Sequence, residues 1–273
     1  MRVLADALDF PEGPAFDADG ILWCVELNGS NLVQILDSGL KRIATSGAPN
    51  GIAVDARGRI WFCDSMQNAI RRYDPATAVI ETIIDKIDGE QLAKPNDLVF
   101  DPVGNLIFTC PGESRKKATG YVCCLQPNGR ITRVVDGLFF PNGLAFSPDG
   151  KYLIIAETYR QRLWKGHWQW ELLQWENPSP FFDTGGIVGP DGMAFSRNGT
   201  LYVAVYGGGS VKSLDMAGTA QGTITTPGAN PTNVALSMDG HLIVTEAENG
   251  QILEYQEIGE FYPAFDGGDT WGD

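Results

Sequence analysis

The sequence predicts an all-β protein, a six-bladed β-propeller, because one motif recurs along the chain at the spacing of propeller blades. In each of six copies, a polar residue stands eight positions before a glycine. Successive copies begin 38, 46, 46, 49 and 41 residues apart, which matches a repeat unit of about four short strands. The 33 glycines and 16 prolines spread along the 273 residues also favour many short elements joined by tight turns.

Each repeat, taken in chain order, predicts the same series of elements. A short apolar strand follows the polar residue, and an Asp/Ser-x-x-Gly turn comes next, whose glycine supplies the positive φ of a tight hairpin. The second strand of each repeat is again apolar, and the six read ILWCVEL, RIWFCDS, NLIFTC, KYLIIAE, TLYVAVY and HLIVTE. Two segments with polar alternation follow, as in NAIRRYDP and AVIETIIDK, which is typical of the more exposed outer strands of a blade.

The two ends of the chain predict how the ring closes. The last repeat has only three strands before the Gly- and Asp-rich tail at 265–273, whereas residues 2–8 form an extra strand before the first repeat. We expect this N-terminal strand to complete the last blade, because a strand edge would otherwise stay open. No linker or shift in composition divides the chain, so residues 1–273 are predicted to form a single β-propeller domain.

The composition excludes several classes of partner. A formal net charge of −14 leaves no basic face for a nucleic acid or an anionic membrane, so we expect a small molecule or a cation instead. No apolar segment is long enough to span a bilayer, and the N-terminus lacks the pattern of a signal peptide. The five cysteines show no metal-ligand spacing and are predicted to be reduced core residues, so the expected location is cytoplasmic.

Two groups of residues leave alternatives open. The tryptophans of the fourth repeat indicate packing of an outer strand on the neighbouring blade, with a dimer or ligand face as the alternative. They are Trp164, Trp168, Trp170 and Trp175. Acidic residues end three of the second strands, at Glu26, Asp64 and Glu246. We interpret them as supporting or solvated groups, with an approach to the same end of the channel as the alternative.

The polar residues that begin the six repeats predict a binding site. The innermost strand of each blade lines the channel of a propeller, so these residues, here called the anchor residues, face one another around the channel mouth. They are Glu12, Asn50, Asn96, Asn142, Asp191 and Thr232. Carboxylates that face each other across a narrow channel are unfavourable unless a cation lies between them, and Glu12 and Asp191 form such a pair. With Asn142, they offer a divalent cation three hard oxygen ligands and a charge of −2.

The anchor residues also have a purely structural interpretation, because Asn and Asp before Gly are favoured at turns. We prefer this interpretation for Asn50 and Thr232. Glu12 is not a typical turn residue and Asp191 occupies the equivalent position of another blade, so for these two the ligand interpretation is favoured. The two histidines lie away from every anchor residue, which argues against a multi-histidine zinc site and a His-based triad. The sequence also lacks a nucleophile elbow and a dinucleotide fingerprint.

Four segments, FPEGPAF, KPND, FPNGLAFSPDGKYLIIAET and GPDGMAF, resemble the SMP-30/gluconolactonase/regucalcin family of six-bladed propellers. The resemblance runs in order over nearly the whole chain. It implies that Glu12, Asn142 and Asp191 are metal ligands and that Asn96 contacts the substrate. Lys94 stands where family members commonly carry an arginine, and it is a second candidate for a substrate contact. A lysine offers a point charge rather than a planar fork, and a plain exposed lysine is the alternative.

The resemblance and the site chemistry together imply a metal-dependent hydrolase that opens a lactone, such as the sugar aldonolactone gluconolactone. One divalent ion (calcium, zinc, manganese or magnesium) would polarise the lactone carbonyl and activate a water, with Asp191 as ligand and general base. The expected partner is therefore a small-molecule lactone. Two alternatives stay open: a propeller that binds calcium or another ligand without turnover, and a channel used without this metal set, as in strictosidine-synthase-like proteins.

Overall fold

Antiparallel strands make up almost all of the regular structure, as the alternating apolar pattern predicts. The computed structural model describes residues 1–256 and 264–272. The N-terminal strand is β1 (Arg2–Ala5). Blade 1 consists of β2 (Pro11–Phe16), β3 (Leu22–Glu26), β4 (Asn31–Leu36) and β5 (Gly39–Ala44). Blade 2 consists of β6 (Pro49–Val54), β7 (Ile60–Asp64), β8 (Ala69–Asp74) and β9 (Val79–Ile84).

A small hairpin precedes blade 3 and is formed by β10 (Lys86–Ile87) and β11 (Glu90–Gln91). Blade 3 consists of β12 (Leu98–Phe100), β13 (Leu106–Cys110), β14 (Gly120–Leu125) and β15 (Ile131–Leu138). Blade 4 consists of β16 (Pro141–Phe146), β17 (Tyr152–Glu157), β18 (Arg162–Gln169) and β19 (Gln174–Asp183). Blade 5 consists of β20 (Gly189–Phe195), β21 (Leu201–Tyr206), β22 (Ser210–Leu214) and β23 (Ala220–Thr225).

Blade 6 closes the ring by joining the two ends of the chain. It combines β24 (Pro231–Leu236), β25 (Leu242–Glu246) and β26 (Gln251–Tyr255) with β1, which pairs with β26. The innermost strands of neighbouring blades touch all round the ring, including β24 and β2 across the closure. Thr232 reinforces this junction, because its hydroxyl donates to the carbonyl oxygen of Pro11 at 2.8 Å. The predicted six-bladed propeller, closed by the N-terminal strand, is confirmed.

The Asp/Ser-x-x-Gly turns have the geometry that their glycines predict. The six motif glycines all adopt positive φ, between 70° and 91°. In blade 2, the side chain of Asp55 accepts hydrogen bonds from the backbone N–H groups of Arg57 and Arg59, both at 3.0 Å, and from the indole of Trp61 at 2.8 Å. Each inner strand runs from its anchor residue to such a turn. The turns therefore lie at one end of the propeller and the anchor residues at the other.

The apolar core lies between neighbouring blades, and the tryptophans of the fourth repeat belong to it. Trp168 is fully buried, and its indole donates to Oδ2 of Asp101 in blade 3 at 3.0 Å. The Trp175 indole donates to the Leu153 carbonyl at 3.1 Å. This segment therefore packs blade 4 together and against its neighbour. All five cysteines are buried and free of disulfides within the described chain.

The C-terminal tail covers the turn end of the propeller. Trp271 is 6% exposed, and its ring centroid lies 4.7 Å from that of Trp61. Its indole donates to the Gly104 carbonyl at 2.8 Å, and Arg59 donates to the carbonyls of Trp271 and Gly272 at 3.0 and 3.2 Å. The helical segments of the described residues are two single 3₁₀ turns, Thr158–Arg160 and Gly268–Thr270, and none is long and apolar enough to cross a membrane.

Candidate metal centre and channel mouth

The anchor residues reach the channel through the same local arrangement. A proline precedes all six of them. The residue before that proline has positive φ in three blades despite a bulky side chain, at Phe10 (61°), Lys94 (50°) and Phe140 (60°). Such residues rarely adopt the left-handed region, so the surrounding blade must hold the strain. Strained backbone is frequent at functional sites, so these three positions support a functional role for the anchor end of the channel.

The residue after the anchor packs against the next blade, and in four blades it is a glycine. A Cβ on Gly51 would lie 2.1 Å from Oδ1 of Asp97, and a Cβ on Gly192 would lie 1.9 Å from Cγ of Asn233. No side chain fits at these glycines, because the side chains of Asp97 and Asn233 already occupy the space. Blades 3 and 6 are therefore the two exceptions to the glycine rule, and they stand opposite each other in the ring.

Asp97 and Asn233 are absent from the site that the motif predicts. The signal that could have identified them is the break in the Pro-x-Gly pattern, which reads PND in blade 3 and PTN in blade 6. Both side chains are 7% exposed. They line the channel directly beneath the anchor residues and extend the polar part of the channel by one layer.

Three buried carboxylates, those of Glu12, Asp97 and Asp191, interact electrostatically near the axis of the propeller. Glu12 is 4% exposed and Asp191 is 7% exposed. Burial raises the pKa of Glu12, and the charges of Asp191 and Asp97 raise it further. Burial and the charge of Asp97 raise the pKa of Asp191, although a hydrogen bond from Asn142 opposes the shift. Burial raises the pKa of Asp97 to about 7, against hydrogen bonds that include one from Asn233.

Within the part of the chain that the structure describes, these three charges are not offset by a basic side chain. Among the described residues, no lysine or arginine contributes to the pKa shifts of Glu12, Asp97 or Asp191. The amides of Asn142 and Asn233 donate to the carboxylates but leave their net charge unchanged. A cation would relieve the mutual repulsion, and this set of carboxylate and amide oxygens suits a hard divalent ion. The predicted ligands Glu12, Asn142 and Asp191 therefore lie together in an environment that fits a metal.

The candidate metal centre has two acidic ligands, because its third ligand, Asn142, is an amide. In the part of the chain that the structure describes, no group of three or more His, Cys, Asp or Glu side chains is arranged to hold a metal ion. The candidate centre instead combines two carboxylates with the oxygen of Asn142, and such oxygen-rich sets are completed by water in calcium and magnesium sites.

The two predicted substrate contacts differ in their surroundings. Asn96 is half-buried, and its backbone is fixed on both sides. Its N–H donates to the Thr109 carbonyl at 3.0 Å, and its carbonyl accepts from the Gly51 N–H at 2.8 Å. Lys94 is exposed and forms an ion pair with Glu113. The backbone of the anchor residue Asn96 is therefore held in place, whereas the ammonium of Lys94 already has a partner.

The acidic residues at the ends of the second strands hold loops and outer strands in place. Glu26 accepts two hydrogen bonds from Arg42 at 2.8 Å. Asp64 accepts one from Arg71 at 2.8 Å and one from the backbone N–H of Ala48 at 3.0 Å. Glu246 accepts backbone N–H groups of two loops at 3.1 and 2.8 Å. These contacts account for all three carboxylates as supporting groups.

A cavity of about 450 Å³ fills the channel below the carboxylates. Small apolar side chains three positions after the anchor residues form its wall, and they are Ala15, Ala53, Val99, Ala145, Ala194 and Ala235. Asp97 and Asn233 line its upper end, and Phe265 of the C-terminal tail lines its lower end. The middle of the channel is thus apolar, with Asp97 and Asn233 at its anchor end and Asp17, Asp55 and Asp266 at its turn end.

Aromatic side chains surround the mouth at the anchor end. Burial raises the pKa of Tyr206, and the nearby carboxylates, Asp191 first among them, raise it further. The ring of Phe10 stacks on Tyr206 with 6.4 Å between centroids. Phe140 and Tyr159 meet edge to face at 5.4 Å. The rings of Phe10, Tyr206, Phe140 and Tyr159 thus form two contacts at this end of the propeller.

The fold and the site define a class of protein: a six-bladed propeller with buried carboxylate and amide groups at one end of its channel. Residues 10–248 match the model of the SMP-30/Gluconolactonase/LRE-like region, and the chain belongs to this family. The resemblance seen in the sequence is thereby confirmed.

The relatives include enzymes with different names. Gluconolactonase of Zymomonas mobilis is 30% identical over 223 residues, which cover 74% of this chain and 62% of that protein. This chain thus spans less than two thirds of that relative's length. Diisopropyl-fluorophosphatase of Loligo vulgaris is 28% identical over 279 residues, which cover 90% of this chain and 88% of the relative. Among solved structures, a gluconolactonase from Xanthomonas campestris matches with a TM-score of 0.82 at 27% identity, covering 92% of this chain and 86% of the other.

Proposed function

We propose that this protein is a divalent-metal-dependent lactonase, a hydrolase that opens a cyclic ester with water. The observation that carries the proposal is the gathering of Glu12, Asp97 and Asp191 at the channel mouth without a basic partner in the described chain. Similarity to two proteins named gluconolactonase supports the reaction class and makes a sugar aldonolactone the first substrate to test.

The proposed ligands of a single calcium, zinc, manganese or magnesium ion are Glu12, Asn142 and Asp191. Their two negative charges balance the ion, and the neutral amide of Asn142 adds an oxygen without adding charge. A bound ion of this kind polarises a carbonyl oxygen and lowers the pKa of a nearby water. Asp97 lies outside the proposed ligand set and adds a third negative charge beneath it, which favours retention of the cation.

Asp191 is the proposed proton acceptor. A water oxygen attacks the carbonyl carbon of the lactone while its proton passes to the Asp191 carboxylate, which Asn142 orients. The bond between the carbonyl carbon and the ring oxygen then breaks, and the proton returns to that oxygen. The product is the open-chain hydroxy acid. The anchor residue Asn96, whose backbone is held by hydrogen bonds, would orient the ring through its side-chain amide, with Lys94 as a second contact.

The experiment that tests the proposal measures proton release from a panel of aldonolactones, against the spontaneous rate. Chelator-treated protein is assayed before and after addition of calcium, zinc, manganese or magnesium. We expect hydrolysis only after one of these metals is restored, and we expect Glu12→Gln to lose that response. Tight metal binding without turnover of any lactone would overturn the proposal in favour of a calcium-binding protein.

A second candidate activity is hydrolysis of a phosphorus–fluorine bond. It follows from the similarity to diisopropyl-fluorophosphatase, which covers 88% of that protein. The same metal-restored samples can be assayed for fluoride release from diisopropyl fluorophosphate. Fluoride release in the absence of lactone hydrolysis would replace the first candidate by the second.

A further inference from the structure

The loop 111–119 is unusually long for its position and is firmly attached at one point. It joins β13 to β14 with nine residues at the anchor end, where the equivalent loops of the other blades have three or four. Ser114 within it is fully buried. Its hydroxyl donates to the Pro111 carbonyl at 2.6 Å and accepts from the Phe140 N–H at 2.9 Å. The loop is therefore fixed to the entry of blade 4, two residues before the anchor residue Asn142.

Arg115 follows this point of attachment and lies against two aromatic rings. Its Cζ is 5.5 Å from the ring centroid of Phe140 and 5.5 Å from that of Tyr159. Among the described residues, its guanidinium takes part in no ion pair or hydrogen bond. Glu113, the only acid of the loop, is paired with Lys94, which lowers the pKa of Glu113 more than Arg115 does. Stacking thus holds the guanidinium while its N–H donors stay available.

Phe140 and Tyr159 place this arginine at the anchor end of the channel. Phe140, whose ring Arg115 contacts, lies two residues before the proposed ligand Asn142. The ring of Tyr159 meets that of Phe140 edge to face, with 5.4 Å between centroids. The two rings that contact Arg115 therefore lie beside the entry of blade 4, at the same end as the anchor residues.

The charge of the loop is opposite to that of the protein. Acids outnumber bases by 34 to 20 in the chain, but the loop has Arg115, Lys116 and Lys117 against Glu113 alone. The positive charge of this loop would add little to the binding affinity of a neutral lactone. An anionic substrate would need it, because three buried carboxylates leave a negative charge at the site even when a divalent ion balances two of them.

We propose that Arg115 binds an anionic group of the substrate, a carboxylate or a phosphate remote from the ester, so that the preferred substrates are acidic lactones. This inference rests on the proposed lactonase function. A guanidinium presents a planar fork of donors that matches two oxygens of either group. Its aromatic stack keeps that fork oriented at the rim, and the neighbouring lysines favour the approach of an anion.

The kinetic test compares glucono-1,5-lactone with lactones of the same sugar that carry a 6-phosphate or a 6-carboxylate. The variants are Arg115→Gln, Arg115→Lys and the control Lys41→Gln, which removes a positive charge from an exposed position of the outer strand β5. We expect the wild type to prefer an anionic lactone. We expect Arg115→Gln to reduce that preference roughly tenfold, mainly through KM, Arg115→Lys to reduce it less, and Lys41→Gln to leave it unchanged.

A binding measurement separates this inference from the lactonase proposal. Calorimetric titration of the calcium-loaded protein with gluconate, 6-phosphogluconate and glucarate needs no turnover. Tighter binding of 6-phosphogluconate or glucarate that depends on Arg115 would support the anion site even if no lactone were opened, and a comparison of these two acids distinguishes phosphate from carboxylate. Equal affinity for gluconate and both of them would overturn it, as would equal loss of all three in Arg115→Gln.

Discussion

Two sets of buried carboxylates lie toward the anchor end of this propeller, and they differ in their partners. Glu26 and Asp64 each accept hydrogen bonds from an arginine, whereas Glu12, Asp97 and Asp191 have no basic partner in the described chain. Burial alone would raise the pKa of Glu26, but its hydrogen bonds, first from Arg42, hold that pKa below its ordinary value. Burial of a carboxylate therefore does not distinguish a structural acid from a functional one, whereas the missing counter-charge sets Glu12, Asp97 and Asp191 apart from Glu26 and Asp64.

Among substitutions in the two sets, the largest effect on activity is expected at Asp191. Asp191→Asn keeps the shape of the side chain but removes a proposed metal ligand and the proton acceptor, so lactone hydrolysis should fall by about 10³-fold or more. The initial rate at saturating metal measures the effect, and circular dichroism checks the fold. The matched control is Glu246→Gln, which should keep its activity. Among the described residues, the hydrogen bonds that the Glu246 carboxylate accepts come from backbone N–H groups. Full activity in Asp191→Asn would contradict the proposed role.

The structural set should respond in the opposite way. Asp64→Ala leaves Arg71, whose side chain is only 15% exposed, without its carboxylate, and it also leaves backbone N–H groups of the neighbouring loop unpaired. The free energy of unfolding should fall by about 3 kcal/mol, as is usual when one partner of a buried pair is removed. Urea unfolding measures this change. A loss below about 1 kcal/mol, the value of an exposed pair, would show that the pair is not structural.

The fold could be predicted from the sequence because its determinants are local and repeated. The period of the motif, the turn glycines and the three strands of the last repeat determine the number of blades and the closure. The position of Glu12, Asn142 and Asp191 follows from the same period, since equivalent positions of different blades meet at the axis. Asp97 was not predicted. It replaces a glycine at which neighbouring strands approach closely, and this approach is visible only in the three-dimensional structure.

The partners of charged residues could not be predicted for a related reason. Arg42 lies on the fourth strand of blade 1 and Arg71 on the third strand of blade 2. Their pairing with acids at the ends of the second strands depends on the register of the sheets. Lys94 and Glu113 lie on different loops, and only the folded loop 111–119 brings them together. Sequence periodicity thus gives the positions of side chains around the axis, but not which of them neutralise one another.

Removing one charge from the unpartnered set should stabilise the metal-free protein. Glu12→Gln leaves two carboxylates where three repelled one another, so the metal-free variant should be more stable than the wild type by about 1 kcal/mol at neutral pH. Calcium should raise the melting temperature of the wild type and have a smaller effect on the variant, because only the wild type has the full ligand charge. Differential scanning calorimetry with and without calcium measures both differences. A metal-free variant less stable than the wild type would argue against repulsion in this layer.

The paired set should give a stability that depends on pH in a defined direction. The folded-state pKa of Glu26 lies below its ordinary value of 4.5, so its pair with Arg42 contributes fully above about pH 4.5 and is lost as the pH falls through the folded-state pKa. Glu26→Gln should therefore cost about 1 kcal/mol at pH 7, because the Arg42 side chain is 41% exposed, and less at lower pH. Unfolding curves of both proteins from pH 7 to pH 3.5 provide the check, and a difference that grows on acidification would reverse the assigned sign.

The smallest effects are expected at the rim, where Lys94 shares features of both sets. Its ammonium is paired with Glu113, yet both side chains are largely exposed, so solvent weakens the pair. If Lys94 contacts the substrate, Lys94→Gln should raise KM by about threefold, whereas Glu113→Gln should lower KM, because it releases the ammonium from its competing partner. Steady-state kinetics of the two single variants and the double variant decide between the roles. If all three variants have the kinetics of the wild type, the pair is a surface contact without a role in binding. Asn96 would then be the polar group that orients the ring.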